Sequence, residues 1–384
     1  VIDRSGTSAE KVEGLKHIWG RTDLIPLWVA DMDFATAPFV TDAIRKRCEN
    51  EVLGYTGKPD SYYNAIINWV KQRYDLVVAK EMINFVPGIV PGIGMAMNCF
   101  TQKGDKVMIQ PPVYHPFAWV TTRNERTLVT NPLKWENGMY RMDLDTFREQ
   151  IKGCKLFILC NPHNPGGVVW TEAELRAIAD ICYDEKVLVF SDEIHADLTL
   201  PPHTHRPFAT VSEKARMNSV TFMSPSKAFN MPGLSASHAL IFNEDLRKRF
   251  RIYMDAGELD MGHVFAFLSV EAAYSHGTEW LDQCLAYIQG NIDFVDDFLK
   301  NHAPKIKAIR PEASYLVWLD CRELKLSQKD LNEFFVDKAH LALNDGEMFG
   351  KEGIGFMRLN VASPRCIIEK AMKQLADAYQ LYIK

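Results

Sequence analysis

CKLFILCNPHNPGG (154–167), VLVFSDEIHADL (187–198) and SVTFMSPSKAFNMPGL (219–234) decide the fold. Each begins as an apolar run rich in β-branched and aromatic residues and then turns polar, the pattern of a buried strand running into a loop. Between the first two lies TEAELRAIADICYDEK (171–186). There Thr171 and Glu174 make a T-x-x-E capping box, while Leu175, Ile178, Ala179 and Cys182 fall on one helical face. A strand, a crossover helix and another strand predict a parallel sheet. Further out, KVMIQ (106–110), TLVTNPL (127–133) and ALIF (239–242) read as more strands, so residues 105–242 form an α/β unit with a mostly parallel central sheet.

Past residue 242 the pattern changes to long helices, 243–255 and 265–302, the latter interrupted by glycines. After Pro304 a smaller α+β pattern follows. KIKAIR (305–310), SYLVWLD (314–320) and 355–361 read as strands, with one helix from Ser327 and another capped by Ser363 with Pro364 in first position. The expected division is an N-terminal segment 1–45 packing with the small domain, a large domain 46–285 and a small C-terminal domain 286–384. No internal repeat or low-complexity linker is present.

Of the 384 residues, 47% are hydrophobic and 24% charged, a globular composition with enough chain for a core that needs no disulfides or metals. The net charge of −5, without basic or acidic blocks, argues against nucleic acid or an anionic membrane as partner. The most apolar stretch, Ile83–Phe100, is broken by prolines, glycines and asparagines, which predicts no transmembrane helix. The eight cysteines are scattered without a C-x-x-C pair and read as buried free thiols in a reducing cytoplasm. The opening VIDRSGTSAEK has no apolar h-region, so no export signal is expected, and Val1 implies that an initiating segment is missing.

In open α/β sheets the functional groups gather beyond the carboxyl ends of the strands. Here those ends carry Asn164, Asp192 and Lys227. A lysine amine can hold an aldehyde as a Schiff base, a carboxylate can pair with a pyridinium nitrogen, and an amide can donate to a phenolate oxygen. Together they are what pyridoxal phosphate requires. Its phosphate needs N–H groups at a helix start, and PGIVPGIG (87–94) offers those of Ile89 and Val90, with Ser224 and Ser226 as added hydroxyl donors. Singly, each group has a plainer reading: a solvated lysine, a capping aspartate, an Asn-Pro-Gly turn. The loop at 88–94 lacks the third glycine of a dinucleotide fingerprint. Ser224-x-x-Lys227 lacks the context of a penicillin-binding hydrolase. His195, His203 and His205 lack the spacing of a structural zinc site, so no metal is expected.

NPHNPGG, SDEIHADL and SPSKAFNMPGL, in this order and spacing, resemble the fold-type I pyridoxal phosphate enzymes of the class I/II aminotransferase superfamily. LIPLWVADMDFATAP (24–38), PPVYHPF (111–117), PEASYLVWLD (311–320) and GFMRLNVA (355–362) narrow the resemblance to the MalY/PatB branch of cystathionine β-lyases and cysteine-S-conjugate β-lyases. It implies the aspartate aminotransferase-like fold. By position, it implies that Lys227 is the Schiff-base lysine and general base, Asp192 the pyridinium partner and Asn164 the phenolate donor. Tyr114 would stack on the cofactor, Arg358 would clamp the substrate carboxylate, and Asp33 and Tyr114 would border the substrate side chain. Tyr55 would reach the phosphate of a neighbouring subunit, implying a homodimer with shared active sites.

Two positions depart from ordinary aminotransferases of the superfamily. Ser235 stands where they carry an arginine eight residues after the lysine, and His195 stands where they carry a tyrosine three after the aspartate. Both changes suit the lyase branch, and His195 is counted among the cofactor contacts. His115 replaces a second tyrosine common in that branch. The expected activity is β-elimination from L-cystathionine or a related S-conjugate, giving a thiol, pyruvate and ammonia. The alternatives are an aminotransferase of an L-amino acid and a regulatory or binding protein on the same scaffold.

Overall fold

The computed structural model describes residues 1–383. Seven strands form the main sheet: β1 (Ile83–Val86), β2 (Lys106–Ile109), β3 (Thr127–Thr130), β4 (Cys154–Cys160), β5 (Leu188–Asp192), β6 (Ser219–Met223) and β7 (Ser237–Leu240). Their order is β1-β7-β6-β5-β4-β2-β3. All neighbours are parallel except β7, which runs antiparallel to both β6 and β1. Every residue of β6 is buried and so is nearly all of β4. This explains why those runs are continuously apolar: helices cover both faces of the sheet.

One face packs on the helices Ile89–Phe100 and Glu244–Ala256 through Ile158, Phe190, Phe222 and Phe250. The opposite face packs through Phe157, Val189 and the helix Glu172–Asp184. That helix starts on the expected capping box. The Thr171 hydroxyl accepts the Glu174 N–H at 3.2 Å, and the Glu174 carboxylate accepts the Thr171 N–H at 2.9 Å.

β1 is absent from the sequence reading because its run merges with the apolar helix that follows, and only Pro87-Gly88 punctuates the two. The strand expected at 239–242 begins two residues earlier, at Ser237.

The smaller sheet contains β8 (Lys307–Ile309), β9 (Leu316–Asp320), β10 (Asn344–Asp345) and β11 (Phe356–Asn360), in the order β8-β9-β11-β10 and antiparallel throughout. The N-terminal segment joins it. Ile25 and Pro26 pair with Leu341 and Ala342, and Leu27 O accepts the Asn360 N–H at 2.9 Å. The helix Thr278–His302 runs without a break through the division expected at 285/286. The helical stretch read at 265–302 is interrupted instead at Gly277, where a Cβ would lie 2.3 Å from the Phe229 ring.

Two local expectations are corrected. Ser363 does not cap the last helix, which begins at Arg365; its buried hydroxyl is hydrogen-bonded to the Asp33 carboxylate. Cys48 and Cys366 are exposed, on the outer surfaces of amphipathic helices, whereas Cys154, Cys160, Cys182, Cys284 and Cys321 are buried. Among the described residues no helix is long and apolar enough to cross a membrane.

Candidate active site

Cys160, Asp192 and Phe222 lie in register across β4, β5 and β6, so the three loops that follow leave the sheet side by side. They open into a cavity lined by Asn164, Asp192, His195, Ser226 and Lys227. Its far wall is the start of the helix Ile89–Phe100, and Tyr114 and Ala30 close the remaining sides. Thus Lys227, Asp192, Asn164, His195, Tyr114, Ile89, Val90 and Ser226, spread over the 139 positions from Ile89 to Lys227, meet at one place.

Asp192 is 3% exposed, and its Oδ1 accepts the Ile194 N–H at 3.1 Å. Burial pushes its carboxyl up to about 7, and Glu193 adds to the rise. Lys227 opens onto the cavity, and its Nζ donates to Ala30 O at 2.5 Å. Burial and then the Arg358 charge hold its amine down at about 8, against the opposing pull of Asp31 and Asp192. Asn164 accepts from Arg358 Nη1 at 3.0 Å through Oδ1, which orients the amide and leaves its N–H groups as the donors available to the cavity. His195 is kept neutral, its imidazole pushed down to about 3 by burial and the nearby Lys227 and Arg358 charges; its Nδ1 is buried without a partner.

At the helix start Gly88 adopts φ +138°, a conformation that side-chain-bearing residues rarely take. The first-turn N–H groups of Ile89 and Val90 have no carbonyl within the helix to bond. Pro91 supplies no N–H at all, and Gly92 N is already bonded to Gly88 O at 2.9 Å. Ser235, in the left-handed region at φ +48°, and Ser237 also line this end.

Four expected residues lie outside the cavity lining. Arg358, 4% exposed on β11, stands behind Asn164; its Nη2 donates to Trp28 O at 3.1 Å and Asn344 Oδ1 at 2.5 Å, and its Nε–H is buried without a partner. Ser224 spends its hydroxyl on Ala236 O at 2.7 Å and accepts the Ser226 N–H at 3.1 Å, so it shapes the turn before Lys227. Asp33 is held by the buried Lys11 ammonium at 2.9 Å and by Ser363. Tyr55, 98% exposed, lines a separate surface hollow with Lys58 and His263.

Sequence reasoning missed Ala30, Cys160 and Tyr315. Cys160, read in the sequence only as a buried free thiol, lines the cavity; its buried Sγ accepts the Asn164 N–H at 3.3 Å, and burial beside Asp192 raises its thiol well above the usual range. Its place directly before NPHNPGG was the available signal. Ala30 and Tyr315 lie in quoted motifs, but neither a backbone carbonyl nor the hydroxyl that reaches it from 285 positions away, Tyr315 Oη donating to Ala30 O at 2.9 Å, carries a signature in sequence.

The sheet order and the strand-end cavity define an aminotransferase-like α/β fold with its site at the carboxyl edge. The family model described as "Aminotransferase class I and II" matches residues 22–375, and the chain belongs to that family. Cystathionine beta-lyase PatB of Bacillus subtilis is 37% identical over 98% of this chain and 98% of its own length. Protein MalY of Escherichia coli is 31% identical over 98% of this chain and 97% of its own. The crystal structure of cystalysin from Treponema denticola, which contains a pyridoxal 5′-phosphate cofactor, superposes with a TM-score of 0.96 at 34% identity, covering 100% of this chain and 98% of that one.

Proposed function

We propose that the protein is a pyridoxal 5′-phosphate-dependent C–S β-lyase that converts L-cystathionine or a related cysteine S-conjugate into a thiol, pyruvate and ammonia. The cofactor part of this reading is carried by one cavity that brings together Lys227, its amine pushed down to about 8, and Asp192, its carboxyl pushed up to about 7; the lyase part is supported by the 37% identity to Cystathionine beta-lyase PatB over 98% of both chains. An amine so placed is partly free base at neutral pH, and a buried carboxyl bonded to one backbone N–H matches a cationic ring nitrogen. The residues present therefore fit the cofactor. Asn164 offers an amide N–H for a phenolate oxygen, and Ile89 N–H and Val90 N–H suit a phosphate, which the Ser226 hydroxyl would join by turning from Ser224 Oγ at 2.9 Å.

When bound, the cofactor supplies an electron-withdrawing ring that takes up the charge left on the substrate Cα. Lys227 would provide the amine that holds the cofactor aldehyde, and as a free amine it would accept the substrate Cα proton. Asp192 would pair with the cofactor's ring nitrogen and keep it protonated. Tyr114, whose phenol burial pushes above its usual range, remains a neutral wall beside Arg358. A thiolate whose conjugate acid has a pKa of about 8.5 is a good leaving group from Cβ, so elimination follows proton removal readily.

Arg358 meets the substrate carboxylate with its partnerless Nε–H and a fork already aligned by Asn164 and Asn344. Arg358→Lys is expected to lower kcat/KM about 10- to 100-fold, mostly through KM, because a point charge cannot replace a planar fork and two charge-assisted bonds are lost. Steady-state kinetics at fixed pH check this.

The active site is shared between two copies of the chain, with Tyr55 reaching the neighbour's phosphate. In support, Val52, Leu53 and Tyr55 are 72%, 58% and 98% exposed in one run, an apolar patch of the kind that marks a protein contact. Amino transfer would use the same residues up to removal of the Cα proton. Incubation with L-cystathionine alone separates the two: the lyase releases pyruvate over many turnovers without any keto acid. A single stoichiometric conversion of the cofactor to its amine form would overturn the lyase reading.

A further inference from the structure

The segment Trp28–Phe34 crosses over Lys227, and its carbonyls are bonded one after another by side chains from distant elements. Trp28 O accepts from Arg358 at 3.1 Å, Val29 O and Asp31 O from Asn360 at 2.6 and 2.7 Å, and Met32 O and Phe34 O from Asn230 at 3.0 and 2.8 Å. Ala30 O lies between them. It accepts from Lys227 Nζ at 2.5 Å and from the Tyr315 hydroxyl at 2.9 Å.

Tyr315 is fully buried immediately before β9. Its approach is fixed from two sides: Val361 N–H donates to Tyr315 O at 2.9 Å, and the N–H groups of Glu312 and Ala313 both donate to Gly167 O, at 2.8 and 3.1 Å. Gly167 has to be glycine for this contact, since at φ +69° a Cβ would lie 2.5 Å from Pro311. The loop that carries Asn164 thus holds the segment that carries Tyr315. Burial and Asp31 raise the phenol well above its usual range, so the hydroxyl stays a neutral donor.

We propose that Tyr315 is a positioning residue for Lys227, acting through the Ala30 carbonyl that both groups share. A carbonyl oxygen has two lone pairs, and a second donor both fixes its direction and draws off electron density that would otherwise hold the lysine ammonium. The hydroxyl therefore keeps the amine aimed into the cavity and makes its proton easier to lose. The other charged or titratable groups facing Lys227 are Arg358 on β11, Asp31 on the covering segment, Asp192 on β5 and the neutral His195 after it. None of them donates to Ala30 O. The inference rests on the reading that Lys227 carries the cofactor.

The test adds pyridoxal 5′-phosphate to the cofactor-free protein and follows the growth of visible absorbance as a function of pH. The amine nitrogen adds to the aldehyde carbon, a C=N bond forms, and the aldehyde oxygen leaves as water with the two amine protons. Only unprotonated Lys227 reacts, so the midpoint of the rate profile reports its proton affinity. Tyr315→Phe is expected to move that midpoint up by about half to one pH unit, the worth of one modest hydrogen bond, with the high-pH rate nearly unchanged. Replacement of Tyr315 by 3-fluorotyrosine, a more acidic and stronger donor, is expected to move it down, and this variant decides the matter if the phenylalanine protein does not fold. An unchanged midpoint with a rate lowered equally at every pH would overturn the proposal and leave Tyr315 a packing residue. Absence of any absorbance in the unsubstituted protein would instead sink the cofactor reading itself.

Discussion

Lys227→Ala is expected to lower pyruvate release from L-cystathionine by about 10⁴-fold or more, because in the proposed function the group lost is at once the cofactor's covalent partner and the proton acceptor. Asp192, Asn164, Ile89 and Val90 remain, so the cofactor still binds, without the covalent link and with a shifted absorbance maximum. The cofactor-free variant carries a second signature. Burial holds the Lys227 amine down at about 8, against an ordinary lysine value of 10.5. The unfolded chain therefore binds more protons between those values, and the lysine destabilises the fold increasingly as pH falls from about 10.5 to 8. Replacing it removes that cost. The variant should lose little or no stability at pH 7 despite the lost side-chain packing, and should lose relatively more at pH 10. A thermal melt at the two pH values checks this; a variant that is folded and still turns over at a tenth of the original rate would exclude Lys227 as the acceptor.

Asp192→Asn has opposite effects on stability and activity. In the cofactor-free protein the buried carboxyl titrates near 7 rather than 3.8. Between those values the folded state binds more protons than the unfolded one, so stability falls as pH rises through this range. At pH 8 the full cost is present, about 4 kcal/mol from a three-unit shift. The asparagine protein should then melt a few degrees higher than the original at pH 8. That gain shrinks below pH 7 and vanishes near pH 4. With the cofactor bound the order reverses, since the amide cannot balance a cationic ring nitrogen. Breaking such a buried pair costs about 3–5 kcal/mol, or about 10²- to 10⁴-fold in turnover. Melting curves of both proteins with and without cofactor at pH 5 and 8 give four comparisons, and an Asp192→Asn protein less stable than the original in its cofactor-free form at pH 8 would contradict the placement of a buried, unpaired charge.

The centre of the main sheet could be read in the sequence because β4, β5 and β6 are buried almost throughout and appear as apolar runs. β4, β5 and β6 were found with their helix Glu172–Asp184, since a capping box and a one-sided apolar stripe are local features. β1 was hidden, as its four residues run into an apolar helix and neither period stands out. The chemistry at the strand ends was legible for a related reason: an amine, a carboxylate and an amide follow three consecutive parallel strands, and register alone brings them level.

The sequence by itself determined the residue types, the parallel sheet and the strand ends at which Asn164, Asp192 and Lys227 must meet, because these follow from hydrophobic period and chain order. Only the tertiary structure decided how those groups are tuned. The rise at Asp192 and the fall at Lys227 come from burial by elements far away in the chain. The acceptor at Ala30 O, its second donor Tyr315 and the alignment of Arg358 by Asn164 and Asn344 arise where the N-terminal segment meets β9 and β11. Desolvation and hydrogen bonding depend on what surrounds a group in space, and for this site the surroundings come from residues far apart in the chain: Ala30 and Tyr315 are 285 positions apart, Trp28 and Arg358 330.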